Sequence, residues 1–173
     1  DFLQYPAISL EDEADLHRLL RQLRKRVILR LAARDLAGLA DLNEVMTTMT
    51  ALADTTIRFA LEFLHTAMTH PGHFGKPTGE KTGTEQQLLI VAMGKLGGGE
   101  LNVSSDVDLI FIYPEDGETD GRKSITNHEF FVRLGRKLIA SLSDYTVDGY
   151  VFRVDMRLRP HGENSPLAIS LPM

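Results

Sequence analysis

The chain has no cysteine and no tryptophan, and aromatic residues make up only 7% of its 173 positions. Without cysteine there are no disulfides, thiolate metal sites or sulfur nucleophiles, which fits a reducing, cytoplasmic setting. Long apolar runs are also missing. None approaches the roughly 20 residues needed to span a bilayer, and no charged-then-apolar leader opens the chain. Positive charge is in deficit too: 19 Lys and Arg against 24 Asp and Glu give a net charge of -5. That balance argues against a general nucleic-acid binder, and nothing suggests a membrane partner. What remains, 43% hydrophobic and 25% charged residues, is the composition of a soluble globular protein large enough to bury a core. The sequence starts at Asp1 and stops at Met173 just after a strand-like run, so we expect a piece of a longer polypeptide.

Periodicity predicts two long helices over about Leu10–Leu39 and from Asp41 to near His70. Ser9 with Asp12, and Asp41 with Glu44, have the spacing of capping boxes. The first helix carries Leu16, Leu20, Val27 and Leu31 on one face. Arg18, Arg21, Arg24, Lys25, Arg26, Arg30 and Arg34 lie on the other, read chiefly as a solvated face. Residues 71–87 are rich in Gly and Pro and read as a loop connector. His70 and His73 within this stretch lack the further ligands a metal site needs.

After the connector the period changes. Leu88–Met93 and Val107–Tyr113 read as buried strands, Thr126 with Glu129 opens a third helix, and Tyr150–Leu158 reads as a third strand. The expected organisation is therefore α+β: a helical arm over 1–70, the connector over 71–87, and a core over 88–173.

The chemistry concentrates in GKLGGGELNVSSDVD, residues 94–108. Its glycines follow a strand and allow backbone N–H groups to approach a phosphate. A Walker loop is excluded, because Leu89 stands at its first glycine and Leu96 at its Ser/Thr; the dinucleotide fingerprint fails at Asn102. Asp106 and Asp108 lie at i and i+2 on a strand and share a face, their Cα atoms roughly 6.5–7 Å apart. Such a pair suits Mg²⁺ or Mn²⁺, although a solvated strand end has the same spelling. In FRVDMRLR, residues 152–159, strict alternation puts Arg153, Asp155, Arg157 and Arg159 on one face. Were this strand beside the first pair, three carboxylates would converge as in a two-metal site.

A Gly-Gly turn, Asp-x-Asp on a strand and a lone acid on a later strand resemble the polymerase-β-like nucleotidyltransferases. The wording of residues 93–111 and of DGYVFRVDMRLRPHGENSPLAIS, residues 148–170, is similar to the bifunctional family that adenylylates and deadenylylates bacterial glutamine synthetase, and closest to its N-terminal, adenylyl-removing domain. The resemblance implies a small nucleotidyltransferase sheet with flanking helices. It implies that Asp106, Asp108 and Asp155 bind Mg²⁺ or Mn²⁺, and that Gly97, Gly98 and Ser105 receive nucleotide phosphate. Arg157 and Arg159 become candidates for holding orthophosphate. The superfamily's usual Gly-Ser is Gly97-Gly98 here, so the hydroxyl would come from Ser104 or Ser105.

The implied reaction is phosphorolysis of AMP from an adenylylated tyrosine of glutamine synthetase, giving ADP. The implied partners are glutamine synthetase, orthophosphate and ADP or ATP, with the PII protein and glutamine as regulators of the longer enzyme. Two alternatives stay open: transfer of AMP from ATP to the tyrosine, and a silent regulatory module that binds nucleotide or a partner.

Overall fold

The computed structural model describes residues 12–158 and 165–171. Asp12 caps the first helix, α1 (Glu13–Leu36), its carboxylate accepting from the N–H groups of Ala14 at 2.8 Å and Asp15 at 3.1 Å. Ser9, the expected cap, lies outside the described residues. Asp41 caps α2 (Leu42–Met68) through the Glu44 N–H at 2.7 Å, as the sequence predicts. Arg34 then ties the two helices together, its Nε 2.6 Å from Glu44 Oε1.

The basic face of α1 is solvated at Arg18, Lys25, Arg26 and Arg30, as expected, and Arg21 and Arg24 depart from that reading. Arg21 is only 1% exposed. Its guanidinium donates to the carbonyls of His17, Ser141, Asp144 and Gly149, so the buried charge is itself fully hydrogen-bonded. Arg24 lies over the Tyr150 ring, 4.9 Å from its centroid. These two side chains, with a Glu13–Lys137 ion pair, bind α1 to the rest of the molecule instead of facing solvent.

The connector is more ordered than expected. Pro77–Gly79 forms β1, and the loop after it folds over buried Glu115, whose carboxylate accepts from the N–H groups of Lys81 and Thr82. The strand β2 (Leu89–Met93) leads into a four-residue helical turn, α3 (Gly94–Gly97), and then β3 (Val107–Tyr113). A short β4 (Gly117–Thr119) pairs antiparallel with β1. Thr126 caps α4 (Asn127–Ser143) by accepting from the Glu129 N–H at 3.2 Å.

The central sheet is mixed. β2 runs antiparallel to β3 along one edge. Along the other edge, β5 (Val154–Asp155) and then β6 (Ala168–Ser170) run parallel to β3. Helices and sheet share one apolar core, in which Phe130, Phe131, Leu134 and Leu138 of α4 meet Leu109 and Phe111 of β3. Gly135 permits that approach, since a Cβ there would come within 2.8 Å of the Phe111 ring. Helices and a small mixed sheet make the fold α+β, as expected.

The third strand is shorter than its alternation suggests. On its N-terminal side, the N–H groups of Val151 and Phe152 are taken by Leu142 O at the end of α4, at 2.8 and 3.0 Å. On its C-terminal side, Asp155 Oδ1 accepts from the Arg157 N–H at 2.8 Å, folding the chain out of the ladder. Competing hydrogen bonds thus cut the nine-residue β pattern to two paired residues. Among the described residues no helix is long and apolar enough to cross a membrane.

Candidate active site

The site is built where β2, β3 and β5 end together. Gly94 leaves β2 with a φ of +55°, in the left-handed region that favours glycine. It also lies flat against Asp108: a Cβ on Gly94 would come within 2.5 Å of Asp108 Oδ2. Gly97 is equally constrained, its missing Cβ falling 2.5 Å from Ala92 O. Gly97 and Gly98 occupy the end of α3, Gly98 as its cap with a φ of -82°.

The loop that follows is tied by Asn102. Its Oδ1 accepts from the Ser104 N–H at 3.1 Å, the Ser104 hydroxyl at 3.2 Å and the Ser105 hydroxyl at 2.8 Å. Both hydroxyl protons considered for phosphate contact are therefore engaged within the loop. Asp106 follows, and its Oδ1 lies 2.5 Å from Arg153 Nε. The same guanidinium donates to Ser104 O at 3.0 Å, while Val107 N–H donates to Arg153 O at 2.9 Å. Loop and β5 are thus joined side by side.

Asp108 pairs with Asp155 in the parallel register of β3 and β5. The two carboxylates, on directly opposed residues of adjacent strands, share one face of the sheet. Asp155 is bound by its own chain: Arg157 Nε lies 2.8 Å and Nη2 2.6 Å from Asp155 Oδ2. These bonds hold the Asp155 carboxyl below the usual carboxylate range. The half-buried Asp108 side chain has no hydrogen-bond or ion-pair partner among the described residues.

The expected strand adjacency is present, and it brings Asp108 and Asp155 together. No group of three His, Cys, Asp or Glu is gathered closely enough to hold a metal among the described residues. Pairing explains the difference, because Arg153 and Arg157 neutralise the outer two acids. Arg159 lies outside the described residues. The donor set still suits a hard divalent cation: oxygen ligands only, one carboxylate unpaired, and a side-chain-free glycine against it. Sequence reasoning gave Gly94 no role of its own and placed Arg153 on the arginine face of the third strand without its partner. The positive-φ requirement at a strand end could have flagged the first, whereas nothing in the alternation marks Arg153 as the partner of Asp106.

Comparison with known proteins gives a consistent answer. The family described as Glutamate-ammonia ligase adenylyltransferase matches residues 3–172. A bifunctional glutamine synthetase adenylyltransferase/adenylyl-removing enzyme of Nitrosomonas europaea is 99% identical over 173 residues, covering 100% of this chain and 19% of that protein. The one from Nitrosomonas eutropha is 89% identical over 172 residues, 99% of this chain and 18% of its own length. That of Chromobacterium violaceum is 52% identical over 169 residues, 98% of this chain and 18% of the protein. The chain thus spans about a fifth of the length of these relatives, and it belongs to the glutamate-ammonia ligase adenylyltransferase family.

Proposed function

We propose that this chain is the metal-dependent nucleotidyltransferase core that removes AMP from an adenylylated tyrosine of glutamine synthetase by phosphorolysis. In this reading residues 1–70 are an arm, 71–87 a connector and 88–173 the catalytic core. One observation carries it: Asp108, half-buried and without a partner among the described residues, stands beside Asp155 on the same sheet face. Arg157 offsets the charge of Asp155, whereas no side chain among the described residues offsets that of Asp108, which leaves a carboxylate for a cation to join.

Asp106, Asp108 and Asp155 would hold Mg²⁺ or Mn²⁺, with Arg153 and Arg157 yielding the outer two. The chemistry such a cation would supply is neutralisation of charge on the phosphoryl oxygens and alignment of nucleophile and leaving group. Backbone N–H groups around Gly97 and Gly98, together with the Ser105 hydroxyl once it turns from Asn102, would orient the AMP phosphate. Arg157, released from Asp155, and Arg159 would receive orthophosphate through paired N–H donors. An orthophosphate oxygen then forms the new P–O bond to the AMP phosphorus while the bond to the tyrosyl oxygen breaks. The electron pair leaves with the phenolate, which takes a proton from water, and the product is ADP. With a phenol pKa of about 10, this leaving group needs no strong general acid.

The relatives' names cover both addition and removal of AMP. Adenylylated glutamine synthetase with orthophosphate, set against unmodified glutamine synthetase with ATP, separates the two when presented to the intact polypeptide. ADP release in the first arm, lost in Asp106→Asn with secondary structure retained, is the expected result. ADP release undiminished in that variant overturns the metal-site assignment. AMP incorporation in the second arm alone assigns the forward reaction.

A further inference from the structure

Asp106 sits on an irregular loop between two buried anchors. Leu101 and Val107 are fully buried, and the Leu101 N–H donates to Thr50 Oγ1 of α2 at 3.4 Å. Between them Val103, Ser104 and Asp106 are exposed. Two side chains order this stretch. Arg153 holds it from outside, through Ser104 O and the Asp106 carboxylate. Asn102 holds it from within. Its Oδ1 accepts from the Ser104 N–H, the Ser104 hydroxyl and the Ser105 hydroxyl at 3.1, 3.2 and 2.8 Å. Its backbone N–H donates to Ser105 Oγ at 3.4 Å, and its carbonyl accepts from the Ser105 N–H at 3.2 Å. All five bonds go to the two residues that precede Asp106.

We infer that Asn102 is a positioning residue: through Ser104 and Ser105 it fixes the backbone that presents the Asp106 carboxylate to a divalent cation. This role rests on the reading of Asp106, Asp108 and Asp155 as the ligands of that cation. Arg153 cannot fill it, because in that reading Arg153 releases Asp106 when the cation binds. From then on the place of the carboxylate depends on the loop's own bonds. The bonding of Asn102 also leaves a hydroxyl to spare. An amide oxygen has two lone pairs, so three donors over-subscribe it. One hydroxyl can therefore turn to a phosphate while the acceptor stays satisfied, whereas removing the acceptor releases all three donors at once. Ser104 is exposed, so water takes up the freed groups. The cost then falls on the order of the loop, and little of it on the stability of the fold. Residues one step behind a metal ligand act in this way, and their loss weakens metal binding by about 10- to 100-fold.

Titration of the intact polypeptide with Mn²⁺ alone, followed by calorimetry, tests it. Asn102→Ala should weaken binding by roughly tenfold or more. Asn102→Asp puts an oxygen acceptor in the same place and should bind as tightly as the parent or more tightly, the added charge helping. Ser104→Ala removes a surplus donor and should bind as the parent does. A role in the fold alone would move the urea midpoint and leave the Mn²⁺ affinity where it was. Hydrogen exchange without metal gives a second readout. The Ser104 and Ser105 amides should exchange faster in Asn102→Ala and slow again in Asn102→Asp. An alanine variant that binds Mn²⁺ as tightly as the parent overturns the role of Asn102 and leaves the metal reading standing. So does an aspartate variant as weak as the alanine one, or a loss in Ser104→Ala as large as that in Asn102→Ala. A parent that takes up no Mn²⁺ overturns the metal reading, and the role of Asn102 falls with it.

Discussion

Asp108 and Asp155 stand directly opposite one another on neighbouring parallel strands, and no described side chain separates or neutralises the Asp108 carboxylate. Like charges across a ladder destabilise it. Removing one of them, in Asp108→Asn, is therefore expected to leave the melting temperature unchanged or slightly raised when divalent cations are absent. Adding Mn²⁺ should raise the melting temperature of the parent chain and leave that of the variant still. Under the proposed reading, deadenylylation by the intact polypeptide should fall by roughly 100-fold or more in the variant. A variant that Mn²⁺ stabilises as well as the parent would show that this pair does not bind the metal.

Arg153 leads to a prediction of opposite sign. Its ion pair with Asp106 is well exposed, with side-chain exposures of 62% and 45%, so its loss should cost little stability. The same cation competes with a metal for the Asp106 carboxylate. Arg153→Met is therefore expected to tighten Mn²⁺ binding by roughly threefold at low salt, the scale of one charge a few ångströms away in water. Titration calorimetry with the metal alone reads this. Weaker binding in the variant would mean that Arg153 presents Asp106 to the metal instead of masking it.

Much of this arrangement was legible from residues alone, and the exceptions have a common cause. The helix caps at Asp41 and Thr126 and the strand Val107–Tyr113 follow from local spacing, which tertiary contacts had no reason to override. The adjacency of Asp108 and Asp155 was a condition raised by two short motifs and implied by the family resemblance, and the strand register meets it. What local spacing could not reveal were partners far away in sequence. Leu142 O takes the N–H groups that an extended third strand would have offered to a neighbour. Arg21 on α1 reaches the carbonyls of Asp144 and Gly149, more than 120 positions along the chain. Periodicity marks Arg21 as a solvated position because it counts residues on one helix and knows nothing of the turn that descends upon it.

Gly94 and Gly99 separate two reasons for needing glycine. Both have positive φ, +55° and +72°, but only Gly94 has a neighbour where a Cβ would sit, Asp108 Oδ2 at 2.5 Å. Gly99→Ala should cost about 1 kcal/mol from backbone strain alone. Gly94→Ala should cost more, and it should also push Asp108 off its position and weaken Mn²⁺ binding. Urea unfolding and metal titration of the two variants check this. Equal losses in both would remove the steric argument.

Arg21 joins the helical arm to the turn that leads into β5. Replacing it by methionine keeps much of the apolar stem and removes every donor, taking the guanidinium from the Ser141 and Asp144 carbonyls while Gly149 O keeps the Thr146 N–H. We expect Arg21→Met to destabilise the chain by about 3 kcal/mol, the scale of a broken buried polar network. Arg21→Lys retains the charge at the end of α4 and should recover part of that loss. The midpoint of urea unfolding measures both. A methionine variant within 1 kcal/mol of the parent, about the cost of an ordinary surface change, would mean that water satisfies those carbonyls.

Two histidines set the expected response to acid. His65 packs edge-on against Phe130 with its Nε2 buried and unpartnered, and His17 lies between Arg21 and Ser141. Burial, in both cases the largest cause, holds each imidazole below the usual histidine range. The folded chain therefore binds fewer protons than the unfolded chain once pH falls below about 6.5. Stability is full above that value and drains away as pH descends towards the folded pKa values. Between pH 7.5 and 5.5 the urea midpoint should accordingly fall. In His65→Leu, which removes the larger buried ring site while keeping an apolar contact with Phe130, the fall should be shallower. Unfolding curves at half-unit pH intervals test the slope. A parent chain whose midpoint holds steady over that range, or a leucine variant that falls just as fast, would place the acid sensitivity elsewhere.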